Sequence, residues 1–316
     1  MYNSELKTKF IQSYTKSINT AAVATTIFDA FEQYEQSWGA DLCTKRIEDL
    51  QPVIDKIVGL RLKSQWMSLI ILKEYGAWCI AMKVPGACEG VCKITVAGID
   101  KVRRQMVANP IHLQQYLNEI FDKESEDTID ILYRCYYWMA FAGMREADII
   151  EVTDAEVDFV QMEIHHGIDN YPIYRESITA FQKAVGLKSF AYKHPNYNSV
   201  ITRDRVPGNT IMRGIKAQTK IMTIRAVMSH KSAEAIAVGK TKHQLSFNRV
   251  WLSGLFYRMR EREQAGIPVD FSEATVEFMK DRTYTVGDKS KLVYKQNRIE
   301  KEYMEDYQRW KMAFSM

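Results

Sequence analysis

The chain of 316 residues lacks any long apolar run. Its longest apolar stretches, such as "WMSLIIL", are far too short to span a bilayer. The opening "MYNSELKTKF" holds no apolar signal core. Both absences argue against a membrane protein and point to the cytoplasm, or to the nucleoid of a bacterial cell. Cysteine is scarce and odd in number: Cys43, Cys79, Cys88, Cys92 and Cys135 lie scattered through helical-looking segments. That excludes a disulfide framework and fits free thiols in a reducing compartment. Cys88 and Cys92 form C-x3-C, but no second pair has zinc spacing. The six histidines (112, 165, 166, 194, 230 and 243) form no ligand set. No metal and no cofactor is therefore expected. Internal repeats and low-complexity tracts are also lacking.

What the chain does have is charge, unevenly placed. The net charge is only +4. Between Arg203 and Arg262, however, 13 Lys and Arg face 3 acids, a surplus of ten, so the remainder is acidic. A basic block on an acidic chain points to a polyanion partner.

Residues 1 to about 100 read as helical. "AAVATTIFDAFEQYEQSW" and "IEDLQPVIDKIVGL" repeat apolar residues at helical intervals. "RLKSQWMSLIILKEYGAWCIAM" is a long helix with Leu69, Ile70, Lys73 and Ala77 along one side, stopped near Pro85 and Gly86. The segment around 86–105 reads as a connection between domains. Beyond it, "NPIHLQQYLNEIF" starts on a proline suited to a first helical turn. "DTIDILYRCYYWMAFAGM" is apolar on almost every side and reads as a buried central helix, its aromatics being core. "AEVDFVQMEIHH" and "NYPIYRESI" read as strands about a turn. "ITAFQKAV" reads as a helix and "RVPGNTIMRG" as a loop. Two helices, "IKAQTKIMTIRAVMSHKSAEAIA" and "FNRVWLSGLFYRMREREQAG", then carry most of the basic block. In the second, Leu252, Leu255, Phe256 and Met259 share one inward face. The last helix, "IEKEYMEDYQRWKMAFSM", is amphipathic and needs a partner, either the body or another molecule.

The stretch "AGMREADIIEVTDAEVDF", within this order of helices, short sheet and basic helices, resembles the first box of the tyrosine recombinase (phage integrase) family. The resemblance runs over nearly the whole chain. It implies a mostly α fold with a small β-sheet in two domains clamping duplex DNA. Residues 1–103 would be the helical core-binding (SAM-like) domain and 104–316 the mixed catalytic-like domain. The family's chemistry attacks a phosphodiester with a tyrosine, steadies the added charge with two arginines, and moves protons with lysine and histidine. Arg145 matches the first arginine. "SFNR" matches the second box, with Ser246 where a histidine belongs and Arg249 as the second arginine. Tyr284 stands near the nucleophile's place, with Tyr294 a second candidate. Thr275 fills the third-box slot, and no lysine lies between Met162 and Tyr174. His243 could replace the missing histidine only if the loop register shifted. The two phosphate-binding positions survive while the proton-handling ones do not.

"LSFNRVWLSGLFYRMREREQAGIPVDF" and "EKEYMEDYQRWKMAF" are similar to integrase-like proteins of SPβ-type temperate Bacillus phages, a group that includes a master repressor of lysogeny. The expectation is a sequence-specific repressor bound to operator sites on double-stranded DNA, relieved by a phage antirepressor, without recombinase activity. An active recombinase using Tyr284 is the alternative, and an interaction protein that ignores DNA is a third reading. The expected DNA contacts are Arg61, Lys63, Ser64 and Gln65 in the first domain. In the second they are Arg203, Arg205, Arg213, Lys216, Lys220, Lys240, Lys242, Asn248 and Arg249. Lysines and arginines would grip phosphates, and Asn248 or Gln65 would read base edges. The oligomeric state is left open.

Overall fold

The computed structural model describes residues 1–14, 18–59, 61–122, 125–193, 199–215, 220–243, 246–280 and 289–316. They fold mostly as helix, with two small antiparallel sheets. No described helix is long and apolar enough to cross a membrane.

Two compact units form. One joins Met1–Val102 to Phe271–Met316, and the other is Arg103–Asp270. The residues after 270 thus group with the first 102. Among them is the amphipathic C-terminal helix. Such a helix must bury its apolar face somewhere, and periodicity does not say where.

The first unit contains α1 (Ser4–Tyr14), α2 (Ile18–Trp38), α3 (Ile47–Ile57) and α4 (Leu62–Ala81). Their core centres on aromatic edges, with Phe28 and Tyr75 centroids 4.9 Å apart and Phe10 and Tyr75 5.2 Å apart. Inside the unit, fully buried Lys7 pairs with Glu35, and the Tyr75 hydroxyl donates to Asp41 at 3.0 Å. Buried charges of this kind persist only when paired. The buried face of α4 is not the side along which Leu69, Ile70, Lys73 and Ala77 run. Gln65, Leu69, Leu72 and Cys79 are buried, whereas Ile70 is half exposed and Ala77 faces solvent. Leu69 lies on both, so the two sides differ by part of a turn. The helix is apolar on several sides, which blurs the periodic signal.

The same unit ends in α12 (Ser272–Lys280) and α13 (Lys289–Phe314). Tyr303, Tyr307 and Trp310 of α13 are buried, with Phe271 stacked on Tyr303 at 5.7 Å. Buried Arg309 donates to the Ala97 carbonyl and, at 3.3 Å, to that of Gly98.

The second unit takes in the end of α5 (Ile99–Gln105), then α6 (Pro110–Ile120) and α7 (Thr128–Ala142). Asn109 caps α6 by accepting from the His112 N–H at 2.9 Å, and Asp127 caps α7 by accepting from that of Ile129 at 2.8 Å. Tyr133, Tyr136, Tyr137, Trp138 and Phe141 are all buried, as their all-round apolar helix requires. A short α8 (Glu146–Ile149) follows, then the sheet β1 (Val157–Asp158), β2 (Glu163–His166) and β3 (Asp169–Pro172) in that order. Ile164 faces Val157 on one side and Tyr171 on the other. After α9 (Ile178–Val185) comes a hairpin absent from the sequence expectation, β4 (Ser189–Lys193) with β5 (Val200–Asp204). Its strands are only five residues long and β5 is largely exposed.

The basic helices are α10 (Ile221–Ala237) and α11 (Phe247–Gln264). On α11, Leu252, Leu255, Phe256 and Met259 are buried, the face their spacing indicates. The helix crosses α7 closely at Gly254, where an added Cβ would stand 1.8 Å from the Phe141 carbonyl oxygen. Only glycine permits that approach.

Candidate nucleic-acid interface

Arg145 and Arg249 belong to the same unit, and the α7–α11 crossing positions both. Gly143 closes α7 in a left-handed conformation. Its carbonyl accepts from the Trp251 indole at 3.0 Å, two residues before Arg145 and two after Arg249. The Phe141 carbonyl accepts from Arg258 at 2.5 Å. Two arginines far apart in sequence are thus fixed to the two sides of one helix crossing.

Their states differ. Arg145 flanks the start of α8 and grips Asp148 with two parallel bonds, at 2.9 and 3.0 Å. Arg249 is half buried, and burial pulls its guanidinium below the ordinary value, partly offset by Tyr116 and Tyr137. Ser246 stands immediately before α11 without a side-chain cap bond, and Asn248 is exposed on the first turn. A cleft of about 310 Å³ opens here, lined by Tyr136, Tyr137, Arg225, Ser229, Ser246 and Asn248 among others. Its arginine is engaged, because Arg225 and the Tyr136 hydroxyl both bond Glu146. Burial pushes the Tyr136 and Tyr137 phenols up, and the Glu146 carboxylate adds to this, so both stay protonated near neutral pH.

The β2–β3 hairpin carries no lysine. Instead His166 bonds Glu156 at 2.9 Å and His165 bonds Asn170 at 2.9 Å. His243 is held through Nδ1 at the Arg104 carbonyl at 2.9 Å, and its ring edge lies on Tyr116. Thr275 is buried in α12 of the first unit. Tyr294 is exposed on α13. Tyr284 and Lys216 lie outside the described residues.

The expected DNA contacts sort by exposure. Arg203, Lys220, Lys240 and Lys242 are exposed in the second unit, and no carboxylate among the described residues pairs with them. Arg205 is a correction. It is buried and donates to the carbonyls of Leu187 at 2.8 Å, Arg213 at 3.2 Å and Ile211. Burial, with Arg213 nearby, pulls it down to about 10. It ties a loop together, and its burial keeps it from DNA. Arg213 is half buried and bonds the Thr210 carbonyl at 2.7 Å, which makes it a brace of the same loop.

In the first unit Gln65 is the second correction. Its fully buried side chain accepts from the Ala97 N–H at 2.9 Å, so it cannot read a base edge. Ser64 is exposed and turns its hydroxyl back to the Arg61 carbonyl at 2.8 Å. Arg61 and Lys63 stand at the start of α4 but meet Asp306 at 2.8 Å and Glu302 at 2.7 Å. These two carboxylates on α13 are the functional groups the sequence reading missed. Their only signal was an i,i+4 acidic spacing on the last helix, which does not name its partner. Among the described residues no cluster of His, Cys, Asp and Glu could hold a metal ion.

Residues 1–81 match the family model described as the N-terminal core-binding domain of MrpR. Among solved structures, the chain is similar to XerA recombinase at 11% identity and a TM-score of 0.37, covering 82% of this chain and 84% of that one. It is also similar to the Tn1549 transposon integrase in complex with circular intermediate DNA, at 12% identity and a TM-score of 0.36, covering 89% and 92%. No curated protein matches the chain.

Proposed function

We propose that the chain is a sequence-specific DNA-binding repressor that holds the lytic genes of a temperate phage silent, on a recombinase-like scaffold that does not cut DNA. One observation carries the DNA-binding part. Arg203, Lys220, Lys240 and Lys242 are exposed without carboxylate partners among the described residues, and Asn248 is exposed in the same unit. Unpaired cations grip phosphates, and an amide reads base edges. The match of residues 1–81 to a core-binding domain supports the same reading.

The loss of cutting rests on chemistry. Ser246 and Thr275 hold the proton-handling positions, and hydroxyls are poor general acids near neutral pH. Thr275 is moreover buried. The partner is duplex operator DNA, and a phage antirepressor would relieve the repression. A gel shift with phage promoter fragments at physiological salt tests the reading. Preference for one fragment supports it, and equal affinity for random DNA of the same length removes the specificity. A nicked suicide substrate tests the chemistry. No covalent adduct is expected, and an adduct lost in Tyr284→Phe would establish a recombinase instead.

A further inference from the structure

We propose that α13 supplies two built-in carboxylates, Glu302 and Asp306, that stand in for DNA phosphates at the start of α4 and so hold down its affinity for DNA. The proposal rests on the DNA-binding reading of that helix start.

Phosphate would meet three kinds of donor here: a free main-chain N–H, a guanidinium and an ammonium. All three are already answered. Helix α4 has no side-chain cap from its own preceding residue, Arg61. Asp306 takes that role from the far end of the chain, accepting from the Leu62 N–H at 3.1 Å and from Arg61 Nε at 2.8 Å. Glu302, one helical turn earlier, takes Lys63 at 2.7 Å. The acids are sheltered, at 8% and 15% exposure, while Lys63 remains 47% exposed and open to an incoming anion. Burial of Tyr307 and Trp310, with the Arg309 bonds to Ala97 and Gly98, anchors α13 so that the carboxylates stay in place.

The match is incomplete on one side. Buried Nη2 of Arg61 has no acceptor among the described residues, and the guanidinium lies over the Tyr303 ring at 4.6 Å. A phosphate, with more oxygens than the carboxylate it displaces, would answer that donor as well. The consequence is ionic. A cation already neutralised by the protein releases no counterion from DNA on binding, so each internal pair removes its share of the salt dependence. Non-specific attraction at α4 is suppressed, and only DNA that gains contacts elsewhere can compete with the carboxylates.

The test measures binding of the full chain to a random-sequence duplex by fluorescence anisotropy across potassium chloride concentrations. For Glu302→Gln with Asp306→Asn, affinity is expected to rise about tenfold or more at low salt, and the salt slope to steepen by about two. The side-chain amide at position 306 of that variant keeps an oxygen for the Leu62 N–H. Should the double variant fail to melt like the parent, Glu302→Gln alone carries the test, with a steepening of about one. Unchanged or weakened binding in a variant that melts like the parent overturns the proposal and leaves the DNA-binding reading standing. Absence of binding by parent and variants alike, even at low salt, overturns that reading and the proposal with it.

Discussion

At the start of α4 in the first unit, Arg61 and Lys63 each meet a carboxylate of α13. In the second unit Arg203, Lys220, Lys240 and Lys242 are exposed and meet no carboxylate among the described residues, while Arg205 is consumed by backbone carbonyls. The same residue types therefore occupy three states: neutralised within the protein, free to meet an anion, and structural. Only the free ones contribute fully to a polyanion contact, because the counterions condensed on the nucleic acid are released only where a cation not already paired within the protein neutralises a phosphate.

Substitutions at each kind of position can break or sharpen that comparison. The largest expected effect is structural. Gly254→Val would drive a side chain into the Phe141 carbonyl, which an added Cβ already meets at 1.8 Å. It should destabilise the second unit by about 3 kcal/mol or more, read from chemical denaturation. A stable variant would show that the α7–α11 crossing can relax.

Arg205→Ala comes next. It strands the carbonyls of Leu187, Ile211 and Arg213 and should cost about 2–3 kcal/mol in a thermal melt, with DNA affinity in the folded fraction little changed. A large affinity loss at full stability would return Arg205 to the free class. Gln65→Ala should cost about 1–2 kcal/mol through the orphaned Ala97 N–H, with no change in sequence preference. An altered preference would mean that the side chain reaches a base after all.

Lys240→Ala tests the free class directly. Binding should weaken a few-fold on every sequence, and the salt slope should flatten by about one. A shift in sequence preference instead would make it a base reader. Arg145→Ala is expected to matter least. Its pair with Asp148 is partly exposed, and such pairs contribute about 0–1 kcal/mol, so both stability and affinity should change modestly. Total loss of DNA binding with normal folding would restore Arg145 as a phosphate clamp.

Much of the fold was legible beforehand. The all-round apolar character of 128–142 marked a buried helix, and the i, i+3, i+4, i+7 spacing of Leu252, Leu255, Phe256 and Met259 marked an inner face. The β2–β3 hairpin showed itself through its turn residues. The β4–β5 hairpin did not, since its strands are only five residues long and β5 is mostly exposed. At the candidate site the residue types were readable and their roles were not. Arg205 and Lys240 look alike in sequence, yet one is surrounded by carbonyls and the other by solvent. Arg61 looked free because its partner, Asp306, lies 245 residues away.

What the sequence by itself determined is local and periodic. It set which segments are helical, which faces are apolar, where Gly143 must turn the chain and where positive charge gathers, because backbone and solvation preferences act over a few residues. The tertiary structure decided the rest. It grouped 271–316 with the first unit, buried Gln65, spent Arg205 on carbonyls, and answered Arg61 and Lys63 with Asp306 and Glu302. The physical reason is that a charge's availability depends on its nearest neighbours in space, and an amphipathic helix carries no record of which surface it will cover.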